Sequence, residues 1–304
     1  MTGRQAMNEI TRRDFLKTSL AGAVAATFGG SVLAEEPAGS EVIVVHGADA
    51  AAMLAAGVER LGGWSAFVKK GKKVTLKVNA AWANPPEHGS NTSPELVEAC
   101  VKACLGAGAG EVVLPENPCS PPEQAFEMSG IARAVKSAGG RMISLRDDRL
   151  FKHVELPGAK TLKQADVAVD VLETACLINM PVAKHHGSAG LSLSMKNWMG
   201  SIKDRGFWHS KGLHQCIADF STLVRPNLVI IDALRIMLDS GPRGPGKLEH
   251  PGLLILSRDP VAADAYSATL FRKEPSDIHH IRLAGEMNIG CADVSRIKVT
   301  RLDV

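Results

Sequence analysis

Between residues 179 and 200 the chain gathers side chains that could do chemistry: Asn179, Lys184, His185, His186, Lys196, Asn197 and Trp198. Lys184 and Lys196 could hold an anionic group. His186 could move a proton near neutral pH or ligate a metal. Lys196 and Asn197 sit inside an otherwise apolar run from Leu191 to Met199, and a charge there must reach water or find a partner. The plain alternative for the same stretch is a solvated basic loop. Glu116, Asp232, His209 and His214 could join His186 around a divalent metal or a proton site. His209 and His214 are five apart, so one helix face cannot present both, and His209 would have to lie in the preceding loop. Lys77 and Asn79, with Trp82 and Trp198 as walls, complete a candidate binding set with Asn179 and Asn197.

These residues need a scaffold, and the rest of the sequence predicts one. Apolar runs at 41–45, 73–78, 111–114, 141–145, 175–180, 228–231 and 253–256 read as strands. Helical patterns with glycine stops separate many of them, as in Ser93-Pro94-Glu95 running to Gly106. The expected fold is α/β: a mostly parallel sheet with helices on both faces, in a single large domain. In such sheets ligands bind beyond the carboxyl ends of the strands. Five strand ends should deliver their polar groups to one edge: Lys77 and Asn79, Glu116 and Asn117, Asn179 to His186, Asp232, and Ser257 to Asp259. A loop is expected at 184–186, a helix around 191–199, and irregular chain at 147–172. Asp259 also reads as a helix N-cap.

The first 34 residues form a separate unit. Thr11-Arg12-Arg13-Asp14-Phe15-Leu16-Lys17 precedes a small apolar run ending at Ala34, with Arg12, Arg13, Phe15 and Leu16 the key positions of a twin-arginine signal. The expected partner is the twin-arginine export machinery, and the expected location is the periplasm or another exported site. Domains are therefore 1–34, the signal, and 35–304, the α/β domain. Formal charge is +3 for the whole chain, with 35 basic and 32 acidic residues. Without the signal it falls to +1, which argues against nucleic-acid binding. No other stretch is apolar and long enough to span a bilayer. Eight Phe, four Trp and one Tyr are few, yet Trp82, Trp198 and Trp208 fall in or beside the candidate loops. The six cysteines contain no Cys-x-x-Cys pair, which argues against a ferredoxin-type cluster. Cys100 and Cys104 read as small core residues on one helix face.

Several stretches taken together resemble a known family. They are Lys77-Val78-Asn79, Asn91 to Val97, Ala107 to Val113, Ile178 to Gly187, Ser194 to Gly200 and Ser257 to Asp264. In that order they look like the bacterial and archaeal family called domain of unknown function 362. The resemblance places Lys77, Asn79, Asn179, Lys184, His186, Lys196, Asn197, Asp232, Asp259 and Asp264 at family motif positions, and implies no particular reaction. Many relatives carry a ferredoxin-like cluster domain, and this chain departs from them by lacking the cluster cysteines.

Three functions remain open on the sequence. One is an exported enzyme acting on a small anionic substrate, with His186, Lys184, Lys196 and Asp232 catalytic; its cofactor is not specified, a divalent metal being one option. The second is a periplasmic binding or accessory protein for a redox partner. The third is an iron–sulfur electron carrier, which the cysteine spacing disfavours.

Overall fold

The computed structural model describes residues 40–304. The twin-arginine positions Arg12, Arg13, Phe15 and Leu16 lie outside them. Thirteen strands are described: β1 (Glu41–His46), β2 (Lys73–Val78), β3 (Glu111–Glu116), β4 (Arg141–Ser144), β5 (Phe151–Glu155), β6 (Gln164–Ala168), β7 (Cys176–Met180), β8 (Val182–His186), β9 (Gly190–Ser192), β10 (Leu228–Met237), β11 (Leu248–Glu249), β12 (Leu253–Ser257) and β13 (Lys298–Asp303). The main sheet has the order β13-β1-β12-β10-β7-β2-β3-β4, with β8, β9 and β11 attached through β10.

The central strands are apolar on both faces because helices cover both. Along β1, Val42 and Val44 enter one core while Ile43 and Val45 enter the other. This is why the strands read as continuous hydrophobic runs rather than alternating ones. One face packs against the helices Ala50–Arg60, Pro94–Gly106 and Ile131–Ser137, through Met53, Leu54, Leu96, Val97 and Val135 among others. Cys100 and Cys104 are fully buried there as small core residues. The other face packs against Leu213–Leu223, Pro260–Ala268 and His279–Glu286 through Ile217, Phe220, Val261 and Ile281. Each such side chain, fully buried, contributes roughly 1.5–3 kcal/mol. Gly57 lets the first helix approach closely: a Cβ there would lie 2.7 Å from Leu256 Cδ1.

The sheet is mostly parallel, as expected, but β12 is reversed. It pairs antiparallel with both neighbours, Ser257 standing opposite Val42 and Val229 at the beginnings of β1 and β10. Residues 257–259 therefore leave the sheet at the opposite edge from Lys77 and Asn79. The expectation that five strand ends share one edge fails for this strand. Asp259 caps the helix that follows, accepting from Val261 N at 2.8 Å and Ala262 N at 3.1 Å.

Other differences are local. Residues 184–186 are not a loop: β8 runs parallel to the far half of the ten-residue β10 and turns back into β9. Residues 190–192 are thus strand, and the expected helix shrinks to Ser194–Asn197 with a further 3-10 turn through Ser201. The irregular chain at 147–172 contains a separate β5–β6 hairpin.

Candidate functional site

The site is built where β2, β3 and β7 end and the β8–β9 hairpin projects beyond them. β10 is long enough to carry that hairpin past the sheet edge, which raises Lys184 and His186 into a wall. A cavity of about 420 Å³ lies there, lined by Asn79, Trp82, Glu116, Cys119, Lys184, His186, Lys196, Asn197, Arg205 and His209 among others.

A chain of side-chain amides fixes the floor. Asn197 Nδ2 donates to Asn179 Oδ1 at 2.8 Å and to the Lys77 carbonyl at 2.9 Å. Asn79 Nδ2 donates to Asn197 Oδ1 at 3.1 Å, and Asn179 Nδ2 to the Ser194 carbonyl at 2.8 Å. The short helix bearing Lys196 and Asn197 is held from behind by Asp264, whose carboxylate accepts from Ser194 N at 2.7 Å and Met195 N at 3.0 Å. Two loops close the side. Cys119 N and Ser120 N donate to the Ala81 carbonyl, at 2.9 and 3.0 Å. Arg205 reaches across to the carbonyls of Asn117 and Pro118, at 2.6 and 3.1 Å, with its Nη1 3.4 Å from Cys119 Sγ.

The charge balance is uneven. Glu116 is committed to Lys77, 2.9 Å away and fully buried, and to Ala80 N at 3.1 Å. Lys184 Nζ donates to Asn79 Oδ1 at 3.1 Å and to the Ser90 carbonyl. Lys196 Nζ has Met199 Sδ as its hydrogen-bond partner, at 3.3 Å. Neither lysine has a carboxylate partner among the described residues, though they are only 1% and 7% exposed. Burial, with Lys196 close by, draws Lys184 down to about 7. Burial, with Arg205 nearby, draws Lys196 down to about 8. Burial and the same two lysines push His186 to about 2, so its ring is neutral.

The ring's orientation decides what it offers. His186 Nδ1 faces two backbone donors, Ser188 N at 3.3 Å and Ala189 N at 3.2 Å. That assigns the proton of the neutral ring to Nε2. A metal-bound imidazole ordinarily carries its proton on the other nitrogen and gives it to an acceptor. His186 therefore presents an N–H, which suits an anion better than a cation. Among the described residues, no three His, Cys, Asp or Glu side chains converge as a metal set.

A family model for the domain of unknown function DUF362 matches residues 74–269, a span that contains every element of this site. The chain belongs to the DUF362 family. A twin-arginine signal sequence matches residues 9–29, so this DUF362 protein is directed to the twin-arginine export route. No helix among the described residues is long and apolar enough to cross a membrane. The DUF362 chain is 27% identical over 235 residues to the thylakoid-associated protein sll1697 of Synechocystis, covering 73% of this chain and 70% of that one. It also resembles two solved structures. One is the lactate racemase apoprotein of Thermoanaerobacterium thermosaccharolyticum, with 12% identity, a TM-score of 0.49, and coverage of 78% of this chain and 57% of that one. The other is a Thermotoga maritima protein, with 11% identity, a TM-score of 0.46, and coverage of 79% and 60%. The chain thus spans less than two thirds of the length of either.

The DUF362 site brings together Asn79, Trp82, Glu116, Lys184, His186, Lys196, Asn197 and His209 of the sequence candidates. His209 stacks on His186 with ring centroids 6.3 Å apart, from the short helix Arg205–Lys211 rather than from a loop. Lys77 and Asn179 lie just behind the lining. Trp198 is fully buried in the core, packed as ordinary hydrophobic bulk. His214 turns away to His280, with its Nδ1 3.2 Å from the partner Nδ1. Asp232 is also elsewhere: it accepts from Ser93 N at 2.7 Å and Leu234 N at 3.1 Å, tying β10 to the start of the helix Pro94–Gly106. Asp232→Asn should lower stability by about 1–2 kcal/mol, since one backbone donor then faces an amide N–H. Ligand affinity at the cavity should stay within about twofold, which urea unfolding and calorimetry together would check.

Cys119 and Arg205 were not identified from the sequence. Each is an isolated residue in a loop or at a helix start, and nothing local marks it; only the crossing of two loops brings them to the cavity. A larger cavity of about 580 Å³ lies at the opposite edge beside Asp259 and Cys291. The Asp259 carboxylate there is already used by the helix cap and by Cys291 N at 2.8 Å.

Proposed function

We propose that this exported protein is an enzyme acting on a small anion in the periplasmic space. Lys196 and Arg205 anchor the anion's acid group. Lys184 is the acid–base group, and His186 Nε2–H donates to a second oxygen of the ligand. The observation that carries this reading is a pair of buried lysines opening on one cavity, neither bonded to a carboxylate among the described residues, the cavity's Glu116 being paired with Lys77. A buried cation without a counter-charge is costly, and a bound anion removes that cost. A lysine drawn to near neutral pH also suits proton transfer. The donor set, led by a ring that presents N–H, favours an anion over a metal ion.

The pH dependence of binding tests the reading. Below pH 7 both ammonium groups are charged and affinity is greatest. As pH rises through about 7 for Lys184 and about 8 for Lys196, the free cavity loses charge that the bound anion must restore by proton uptake. His186 stays neutral over this range, and burial also lowers His209 at the rim, so the fall above pH 7 is set by the two lysines. Affinity for malonate, a dianion over most of this range, should fall by up to about tenfold per pH unit for each lysine. Calorimetry from pH 6 to 9.5 reads this, and affinity that is flat or rising with pH overturns it. Saturable binding with no turnover of any ligand would instead identify a binding or accessory protein. Elemental analysis of natively exported protein checks the metal-free assignment.

A further inference from the structure

Resting on that reading, we infer that the anion carries a carbonyl beside its acid group and that Lys184 condenses with it to form an imine. The site has more cationic groups than anchoring requires. Lys196 has only a thioether partner, so its donors are left for a ligand acid group, and Arg205 adds charge at the same wall. Lys184 is arranged differently. Asn79 Oδ1 and the Ser90 carbonyl take two of its N–H groups. An amine has two N–H groups and one lone pair in tetrahedral array, so both donors are used and the lone pair remains. The side chain lines the cavity, where a ligand carbonyl would have to approach that remaining position. Among the described residues no carboxylate is bonded to it.

The reaction balances without a redox partner. The Lys184 lone pair attacks the carbonyl carbon and a C–N bond forms. The nitrogen's first proton passes to the oxygen, which becomes the hydroxyl of a carbinolamine. The nitrogen then loses its second proton, which leaves with that hydroxyl as water, and a C=N bond remains. His186, with Nδ1 occupied by backbone donors, has Nε2–H to offer the departing oxygen. A volume of about 420 Å³ admits an oxo acid of a few carbons with room to spare.

The test uses the exported protein with glyoxylate, pyruvate or 2-oxoglutarate and cyanoborohydride, followed by mass-spectrometric mapping. At least one acid should reduce onto Lys184 at least about tenfold faster than onto exposed lysines, and acetone, which lacks the acid group, should not. Lys196→Met should slow that labelling. Lys184→Arg, which keeps a cation, should abolish it at this position. If the acids bind saturably yet Lys184 stays unmodified, the imine is overturned and the anion site stands. If none of them binds, the imine is overturned, and the anion site falls with it only if malonate and phosphate also fail to bind. Labelling of Lys184 no faster than of surface lysines also overturns the imine.

Discussion

Gly200→Ala should destabilise the protein by about 3–5 kcal/mol, the loss expected when a buried ion pair is broken from one side. A Cβ at this position would lie 1.9 Å from Glu116 Oε1 and 2.7 Å from Lys77 Nζ. The carboxylate cannot retreat, because its other oxygen is held by Lys77 and by Ala80 N, and the residue is 1% exposed. Moving it would leave the fully buried Lys77 ammonium unpaired. The same glycine accepts from Asn117 N at 2.7 Å through its carbonyl, so the strain passes to the Cys119 loop. Urea unfolding measures the effect. A background of Lys77→Met with Glu116→Ala removes both charges and makes room, so Gly200→Ala should cost much less there. A change under about 1 kcal/mol in the otherwise unaltered protein would show that the carboxylate does not occupy this place.

The second large effect runs in opposite directions for stability and binding. Drawing Lys184 from 10.5 to about 7 corresponds to roughly 5 kcal/mol of penalty on its charged form relative to its neutral one. Lys184→Met removes that penalty but leaves Asn79 Oδ1 and the Ser90 carbonyl without a donor, at about 1 kcal/mol each. The net expectation at pH 7 is a gain of about 1–3 kcal/mol in stability. Anion affinity should fall about 100-fold with the loss of a charge-assisted contact in a dry site. The gain should shrink above pH 7: Lys184's folded pKa lies below the unfolded value, so the unaltered protein gains stability from this group as pH rises toward 10.5. A residue that only supports the fold would lower both quantities together, and that outcome would remove Lys184 from the site.

Much of the scaffold was legible because burial on both faces writes strands as unbroken apolar runs. The helix beginning at Pro94 and the cap at Asp259 also announce themselves locally, since capping uses the next two or three residues. The direction of β12 does not, because a buried strand of Leu, Ile and Ser reads the same either way. The β8–β9 hairpin was missed for a related reason: Lys184 and His186 look like loop residues, and only pairing with the overlong β10 makes them strand. Of the candidate site, Lys196 and Asn197 were visible as polar groups in an apolar run, and Asn79 as a polar group at a strand end. Asp232 sat at the expected strand end, yet its carboxylate satisfies a helix start contributed by residues far earlier in the chain. Trp198 and His214 show the same limit, since sequence gives proximity to a loop but not the side chain's direction.

The two unbalanced lysines also bear on how the protein should be handled. Phosphate, sulfate and citrate are themselves small anions. If the cavity takes small anions as proposed, a buffer of that kind supplies its counter-charge, and a substrate must displace it before its binding registers. Activity screens in phosphate would then report a protein that is stable and inert, where an amine buffer with chloride would leave the two ammonium groups free to choose.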